Sequence, residues 1–386
     1  MANISKFELF AIDLPFRKSF KHAASERKLS SSVFVKCVTD SGEEGFGECL
    51  PREYVTGETR DVAFELLHQK ILPKLLGIEF KSLKAVKSFL IECDGKAPNG
   101  WIEPEQPQTA TWCAVDLALL DAFGKTFNAP IRLGDQNTFP EQLRYSAVIS
   151  ADTGLKLLKT LLKIRLYGIR QVKLKVGSEN INYAAGLARR LLGKTCDIRV
   201  DSNMIWDVEQ AFTAMRILCQ YGVHSFEQPI AADDIDGLAR LVRETNLDVM
   251  VDESLSDRAS LEELIHKNAC TAVNVRISKC GGLMASLARC RQALNAGLKI
   301  QIGCQVGESS LLSAAQIILI KAVRHVVYVE GCSGLHLLRE DPVQPVLQFG
   351  YGGIPPNVPN VPGFGITMNE TVIKRWTIKH ETIGES

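Results

Sequence analysis

Three acidic residues in the second half of the chain follow short apolar segments at nearly constant intervals. Asp201 ends IRVD, Glu227 ends HSFE and Asp252 ends VMVD, so successive acids are 26 and 25 residues apart. If each interval is one strand–helix repeat, the three carboxylates meet at the same edge of a parallel sheet. Three such oxygen ligands suit a hard divalent cation, and we expect Mg²⁺, with Mn²⁺ as a substitute. Each acid alone could instead cap a helix, but three in register favour the metal site.

Two polar residues lie beside these acids. Asn203 follows Asp201 by two residues, so on a strand its side chain points to the same side and could support that ligand. Glu253 follows Asp252 directly and could orient a neighbouring base. Ordinary helix capping explains either residue equally well.

Two lysines are candidates for proton transfer. QVKLKVG places Lys173 and Lys175 two residues apart, so on a strand both side chains point to one face. Near a dication and a second cation the ammonium form is disfavoured, so the pKa falls and the lysine becomes a general base. We expect Lys175, nearer to the strand end, to be that base, while Lys173 lowers its pKa or contacts a substrate carboxylate. The alternative is a solvated pair at a strand end.

A repeating frame of strands and helices is needed to position these residues. From residue 144 onward, short apolar segments alternate with amphipathic helical patterns at 154–166, 208–221, 260–267, 283–296 and 309–323. Strands are expected near 144–149, 170–176, 198–201, 223–227, 248–252, 273–277, 300–303 and 326–330. Eight strands separated by helices predict an α/β fold of the closed (β/α)8 TIM-barrel type.

The segments before and after the barrel have different sequence patterns. Strand patterns at 7–14, 32–37 and 45–49, followed by helical patterns at 62–76 and 109–125, predict an α+β domain. We therefore divide the chain into an N-terminal α+β domain at 1–135, a barrel at 140–343 and a C-terminal tail at 344–386. The tail is rich in Pro and Gly, and we expect it to return to the N-terminal domain through residues 367–378.

The composition of the chain limits the partners that we expect. The 386 residues include 45 Lys and Arg against 44 Asp and Glu, which favours neither a nucleic acid nor a membrane as partner. The N-terminal segment lacks the apolar core of a signal peptide, and no run of about 18 apolar residues follows, so we expect a soluble cytoplasmic protein. The 11 dispersed cysteines predict reduced thiols that mostly fill the core.

The order of these motifs resembles the enolase superfamily, in particular its muconate-lactonizing subgroup. KLK, VDSN, FEQP, VDES and NVRISKCGG end successive predicted strands, GCQVGESSL and VEGCSG resemble the seventh and eighth strand ends, and ALLDAFGKTFNAPI resembles the end of a capping domain. The resemblance implies Mg²⁺ at Asp201, Glu227 and Asp252, and removal of a proton next to a carboxylate to give a metal-stabilised enolate. IQIGCQVG contains no His, which favours the lysine-based subgroup over the mandelate-racemase-like one.

The chain departs from the subgroup pattern on the sixth strand. The second acid/base lysine of the subgroup occupies the third position of N-x-K, where this chain has Arg276. Because arginine stays protonated, Arg276 suits an electrostatic clamp better than a second base. Lys279 could substitute, although its odd spacing from Arg276 points it to the other face of a strand. Dipeptide epimerases of the subgroup tend to carry Asp-x-Asp at the eighth strand end. Here the corresponding stretch has an acid only at the first position, Glu330.

The resemblance also implies that substrate specificity lies in two capping-domain loops, PFRKSFKHAASERK and CLPREYVTGET. Their cationic and aromatic side chains suit a small carboxylate with a second anionic group. For any single residue of these loops, the alternative is a solvent-exposed side chain of a basic loop that does not contact the substrate. The substrate-contact candidates are Arg17, Lys21, His22, Arg52 and Tyr54 in these loops, with Cys304 and Glu330 at the barrel strand ends.

Three functions remain in competition at this point. The first is a one-base lyase or cycloisomerase similar to muconate cycloisomerase, in which Lys175 moves the proton and Arg276 stabilises charge. The second is a dipeptide epimerase or N-acyl amino acid racemase with Arg276 or Lys279 as the second base. The third is a barrel that binds an anionic metabolite without turnover. A homo-oligomer would fit the family in each case.

Overall fold

A computed structural model of the chain describes residues 1–22, 25–134, 138–149, 153–175 and 181–384; the side chains of residues 19–22, 25 and 26 lie outside the description. The N-terminal sheet begins with an antiparallel meander of β1 (Ala2–His22), β2 (Ser25–Thr39) and β3 (Glu44–Cys49). The turn after β2 contains Gly42 with a φ of 83°, a conformation that glycine adopts without strain.

Helices come after this meander in the chain. They follow in the order α1 (Glu53–Thr56), α2 (Arg60–Leu66), a π-helical turn (Leu67–Ile71), α3 (Leu72–Leu75), α4 (Leu83–Cys93) after the short strand β4 (Glu79–Phe80), and α5 (Thr109–Thr126). Of these, α2 and α5 pack against the meander. The helix predicted at 62–76 is thus three consecutive pieces. Pro73 lacks an N–H to continue the hydrogen-bond ladder, and the π-helical turn directly precedes the piece that contains it.

The almost fully buried α5 lies directly on β3. A Cβ added to Gly45 would come within 1.9 Å of the Ala122 nitrogen, and one added to Gly47 within 1.8 Å of the Ala114 carbonyl oxygen. Glycine at these two positions therefore allows the helix backbone to touch the sheet.

All eight predicted barrel strands are present and run parallel in chain order. They are β5 (Ala147–Ile149), β6 (Gln171–Lys175), β7 (Asp197–Asp201), β8 (Ser225–Glu227), β9 (Asp248–Val251), β10 (Ala272–Val275), β11 (Lys299–Ile302) and β12 (Val326–Val329). A parallel bridge between Tyr145 and Val329 joins the first strand to the last, so the sheet closes. This confirms the predicted (β/α)8 TIM-barrel class.

Helices between the strands surround the barrel. They are α6 (Gly154–Leu166), α7 (Ile181–Leu192), α8 (Val208–Cys219), α9 (Ile235–Thr245), α10 (Arg258–His266), α11 (Leu283–Asn295) and α12 (Ser310–Ala322). The five predicted barrel helices are among them, because an amphipathic stripe is sufficient to mark a helix that covers one face of a sheet. No helix in the described part of the chain is both long and apolar enough to cross a bilayer.

The C-terminal segment returns to the N-terminal sheet. After 3₁₀ turns at Gly334–His336 and Tyr351–Gly353 and the strand pair β13 (Val343–Gln344) and β14 (Thr367–Met368), it forms α13 (Glu370–Trp376) and β15 (Thr377–Ile383). β15 pairs antiparallel with β1 between Phe7 and Ile12. The returning strand therefore extends beyond the segment 367–378 expected from the sequence.

Carboxylates of the N-terminal sheet unit cap two barrel helices. Asp116 of α5 accepts hydrogen bonds from the backbone N–H groups of Leu283 (2.7 Å) and Met284 (3.4 Å) at the start of α11. Glu48 of β3 accepts from the Ser309 N–H (3.1 Å) and hydroxyl (2.5 Å) before α12. Because both carboxyl groups are buried, these bonds fix how the sheet unit sits on the barrel.

We expect Asp116→Ala to lower the free energy of unfolding by about 2 kcal/mol, because the buried N–H groups at the start of α11 lose their acceptor. Urea unfolding measures the change. Glu262→Ala, on the exposed side of α10, serves as the control and should alter stability little. Equal losses in the two variants would contradict the capping role.

Candidate active site

The register of the barrel brings the predicted catalytic and metal-binding residues to one end. Lys175 of β6 pairs with Asp201 of β7, and Asp201 pairs with Glu227 of β8. Glu227 pairs with Met250, two residues before Asp252. These residues lie at the same level because the strands run parallel and pair in register, so their carboxyl ends form one end of the barrel. All three acids are buried, at 1% exposure or less.

Lys173 lies among four carboxylate oxygens. Its Nζ is 3.1 and 3.3 Å from the two carboxylate oxygens of Glu227, 3.3 Å from Oδ2 of Asp201 and 2.7 Å from Oε2 of Glu330. Asn274 and Gln301 donate amide hydrogen bonds to Glu227 at 2.8 and 3.1 Å. The Glu227 carboxylate is therefore held in one orientation by three side chains.

Two basic side chains, Arg276 and Lys279, contact Asp252. The Arg276 guanidinium contacts Oδ2 of Asp252 and lies 3.8 Å from Oε1 of Glu227. Lys279 donates to Oδ1 of Asp252 at 2.8 Å and to the Asn274 carbonyl at 3.0 Å. Lys279 is fully buried, and burial lowers its pKa to about 7. Lys279 thus lies behind the metal-ligand candidate Asp252.

Lys175 is held by a chain of polar contacts. Its Nζ donates to Oδ1 of Asn203 at 3.0 Å and lies 3.5 Å from Oδ2 of Asp201. The Asn203 amide donates in turn to Oε1 of Glu253 at 3.3 Å, and its backbone N–H donates to Asp201 at 3.0 Å. Burial, together with the charge of Asp201, raises the pKa of Glu253 to about 7. Asn203 therefore connects Lys175 to both neighbouring acids.

The charges at the site set the ionisation of Lys173 and Asp201. Burial opposes protonation of Lys173, but the carboxylates of Glu227, Glu330 and Asp201 raise its pKa above the ordinary lysine value. Burial likewise opposes ionisation of Asp201, yet Lys175, Lys173 and Arg276 lower the pKa of this carboxyl. Lys173 therefore remains an ammonium group and Asp201 a carboxylate at neutral pH.

The donor set agrees in charge and chemistry with a hard divalent cation. Oδ2 of Asp201 and Oδ2 of Asp252 are buried and accept no hydrogen bond, but they contact cationic nitrogens. Within the described ranges, no three acidic, His or Cys side chains already surround a cation position. Lys173 and Arg276 each bridge two of the three acids, so a dication would compete with these side chains for the carboxylates.

A cavity of about 300 Å³ opens at this end of the barrel, a size suited to a small molecule. Lys173, Lys175 and Arg276 line it. The other lining residues include Tyr54, Asn203, Glu253, Cys304, Glu308 and Glu330. The cavity therefore brings the candidate base, the arginine and several predicted substrate-contact residues together.

Other predicted residues lie elsewhere. Arg17 is exposed and its Nε donates to the Leu338 carbonyl at 3.2 Å. Arg52 is 4% exposed and donates to the carbonyls of Ser31 and Val306, which joins the N-terminal sheet to a barrel loop. Arg17, Arg52 and Lys279 are not among the residues that line the cavity. The side chains of Lys21 and His22 lie outside the described residues.

Sequence reasoning missed a buried arginine next to the site. The Arg199 guanidinium contacts Glu330, donates to the Ser146 hydroxyl at 3.1 Å and lies 4.5 Å from the centroid of the Tyr328 ring. Its position was available from the sequence, because Arg199 precedes Asp201 by two residues and shares its face of the strand. The sequence did not reveal its partner, Glu330, which directly follows the last strand of the barrel.

A family model described as "Enolase C-terminal domain-like" matches residues 157–372, more than half of the chain. The chain belongs to the enolase superfamily. The match spans the strands that carry Lys173, Lys175, the three acids and Arg276.

Relatives of this enolase-superfamily chain match over nearly its full length. N-succinyl-L-Arg/Lys racemase from Bacillus cereus is 27% identical over 98% of this chain and 99% of the relative. Its crystal structure matches with a TM-score of 0.88, 28% identity, and coverage of 99% and 100% of the two chains. A dipeptide epimerase from Cytophaga hutchinsonii, complexed with Mg and D-Ala-L-Val, has the same fold, with a TM-score of 0.86 at 23% identity over 99% and 100% of the chains.

The buried ion pairs of Glu330 with Lys173 and Arg199 lead to a prediction about stability. Glu330→Gln should lower the free energy of unfolding by about 3 kcal/mol, because Arg199 and Lys173 lose a buried counter-charge. Glu340→Gln is the matched control, since Glu340 pairs with Arg375 at the protein surface and should contribute less than about 1 kcal/mol. Denaturant unfolding of both variants measures the difference, and similar losses would show that the cluster is not a coupled network.

Proposed function

We propose that this chain is a Mg²⁺-dependent lyase or cycloisomerase, similar to muconate cycloisomerase, that uses Lys175 to move a proton at the carbon next to a substrate carboxylate. The proposal is supported by membership in the enolase superfamily and by relatives that include racemases, epimerases and cycloisomerases. It places a small carboxylate in the cavity at the barrel mouth. A second anionic group on the substrate, a cytoplasmic location and a homo-oligomeric assembly are further parts of the proposal.

The one-base reaction is inferred from a difference between two opposite strands, one of which presents a lysine and the other an arginine. Lys175 ends the second barrel strand, and Arg276 follows the sixth, which lies across an eight-stranded ring from it. Both side chains line the cavity, whereas Lys279 is buried against Asp252. Only one face of a substrate carbon between Lys175 and Arg276 would therefore meet an amine that can exchange a proton, because a guanidinium does not lose its proton.

Each residue then has a distinct task. In the elimination direction, the neutral Lys175 amine takes the proton, and the electron pair of the broken C–H bond expels a substituent from the adjacent carbon. In the addition direction, the Lys175 ammonium returns the proton to the same face. Lys173 and Arg276 keep positive charges near the substrate carboxylate, where negative charge develops.

Asp201, Glu227 and Asp252 would hold the cation. When bound, Mg²⁺ would place a dipositive charge next to the substrate carboxylate and lower the pKa of the neighbouring C–H bond. Asn203 and Glu253 support Asp201 and Lys175 from behind. Mn²⁺ is the expected substitute, because it accepts the same oxygen ligands.

A racemase or epimerase of an N-acyl amino acid or dipeptide is the second candidate. The similarity to N-succinyl-L-Arg/Lys racemase over nearly the whole chain favours it. In that case the second face of the carbon would need another proton donor, for which Lys279 would have to leave Asp252.

Deuterium incorporation separates the two candidates. In D₂O with Mg²⁺ and a library of carboxylates, the wild-type chain should place deuterium at a single stereochemical position. Lys175→Ala should lower kcat by about a thousandfold. Mass spectrometry and NMR of the recovered substrate and product measure both quantities.

Arg276→Lys is the matched gain-of-function variant, because it supplies an amine to the second face and should introduce exchange into both epimers. Deuterium in both epimers with the wild-type protein would instead establish the two-base reaction and overturn our proposal.

Metal removal tests the cation. Treatment with EDTA should abolish turnover, and added Mg²⁺ should restore it and raise the thermal unfolding midpoint, since a ligand of the folded state stabilises that state.

Asp201→Asn should weaken the binding of Mg²⁺ in a calorimetric titration. Asp248→Asn, at the opposite end of β9, provides the control and should bind Mg²⁺ like the wild type. Binding that is unchanged in Asp201→Asn would exclude this residue as a ligand.

A further inference from the structure

Helix α6 exposes a row of leucines to solvent. Leu155, Leu162 and Leu166 are 73%, 41% and 78% exposed. Their spacing of seven and four residues places them within one narrow strip of the helix. The core-facing side of the same helix carries Leu157, Leu161 and Ile164. We call the three exposed residues the leucine crest.

The apolar strip continues beyond the end of α6. Tyr351 and Ile354 are 66% and 51% exposed, and the Tyr351 ring lies 6.0 Å from the ring of Tyr167, which follows α6 directly. The backbone of Gly352 donates to the Tyr167 carbonyl at 2.7 Å, so this segment is attached to the helix end. Tyr183 of α7 is also 51% exposed.

The surface around the crest is strongly basic. Residues 153–175 contain seven Lys and Arg and residues 181–195 contain three, with no Asp or Glu in either range. Lys173 and Lys175 lie at the active site, and the other eight lie on or next to α6 and α7. Because the whole chain has a formal charge of only +1, the excess of basic residues in these two ranges is balanced by acidic residues elsewhere in the chain.

An arginine-lined depression lies at the end of the crest. Its volume is about 570 Å³, and Arg144, Arg165 and Arg170 line it together with Tyr351 and Ile354. Arginine is well suited to bind phosphate, because its planar guanidinium can form two parallel hydrogen bonds to it. The depression and the crest therefore offer a phosphate-binding region next to protruding apolar side chains.

We propose that this face of the barrel, comprising α6, α7 and the Tyr351–Ile354 segment, docks on an anionic phospholipid surface. Apolar side chains that project from a basic helix insert among lipid headgroups, while the surrounding Lys and Arg side chains bind the phosphates. Leu155 and Leu166, at 73% and 78% exposure, are accessible to such a layer. Two copies joined through the same face would place their positive charges against one another.

Vesicle flotation tests the docking. The wild-type protein should bind vesicles of equal parts phosphatidylcholine and phosphatidylglycerol, bind phosphatidylcholine vesicles weakly, and dissociate at high salt. The triple variant Leu155→Gln, Leu162→Gln, Leu166→Gln and the triple variant Lys159→Gln, Lys163→Gln, Arg170→Gln should each lower the bound fraction at least about tenfold. Circular dichroism and Mg²⁺ binding should be unchanged in both variants, because the substituted residues are remote from the site.

The matched control is Lys81→Gln, Lys84→Gln, Ile91→Gln, which alters exposed residues of the N-terminal unit and should bind like the wild type. Absence of binding to the anionic vesicles, or equal binding by all variants, would overturn the proposal. So would a wild-type oligomer that the leucine variant dissociates, because the crest would then join copies of the chain. Saturation by inorganic phosphate without vesicle binding would assign the depression to a soluble phosphate instead.

Discussion

The mutual neutralisation of buried charges at the barrel mouth is the constraint on which the site depends. Asp201, Glu227 and Asp252 are withdrawn from water, and a buried carboxylate is costly unless cations and hydrogen-bond donors compensate it. Lys173 and Arg276 each bridge two of these acids, and Asn274 and Gln301 fix the orientation of Glu227. The acids therefore share buried cationic partners, and in the proposed metal site a dication would compete with Lys173 and Arg276 for the same oxygens. The same neutralisation raises the pKa of Lys173 and leaves Lys175 as the candidate for proton transfer.

Positions on opposite sides of the barrel differ in what they can do with a proton. In the proposed reaction Lys175 is the base, whereas the guanidinium of Arg276 is not suited to that role. Lys279 is close in sequence to Arg276, but its contacts with Asp252 and the Asn274 carbonyl make it part of the support behind the acids. The site is thus asymmetric even though the barrel around it is nearly regular, and the proposed one-face proton exchange depends on this asymmetry.

Net charge and charge distribution lead to different conclusions about partners. The near balance of 45 basic and 44 acidic residues favours no polymer or membrane partner when the chain is treated as a whole. In the folded chain, one face of the barrel carries both basic and exposed apolar side chains. These side chains belong to α6, α7 and the Tyr351–Ile354 segment. A local field acts only over about a Debye length, so a surface can attract an anionic partner while the molecule is almost neutral.

The sequence alone determined the features that are encoded locally. Regular alternation of strand and helix patterns was sufficient for the (β/α)8 barrel, and nearly equal spacing placed Asp201, Glu227 and Asp252 at the ends of neighbouring strands. Tertiary structure decided the features that depend on distant partners: the pairing of Arg199 with Glu330, the position of Lys279 behind Asp252, and the use of Arg52 as a link between the N-terminal sheet and the barrel. The reason is physical, since periodicity fixes the face on which a side chain lies, whereas its contacts and ionisation depend on charges brought next to it from strands far away along the chain.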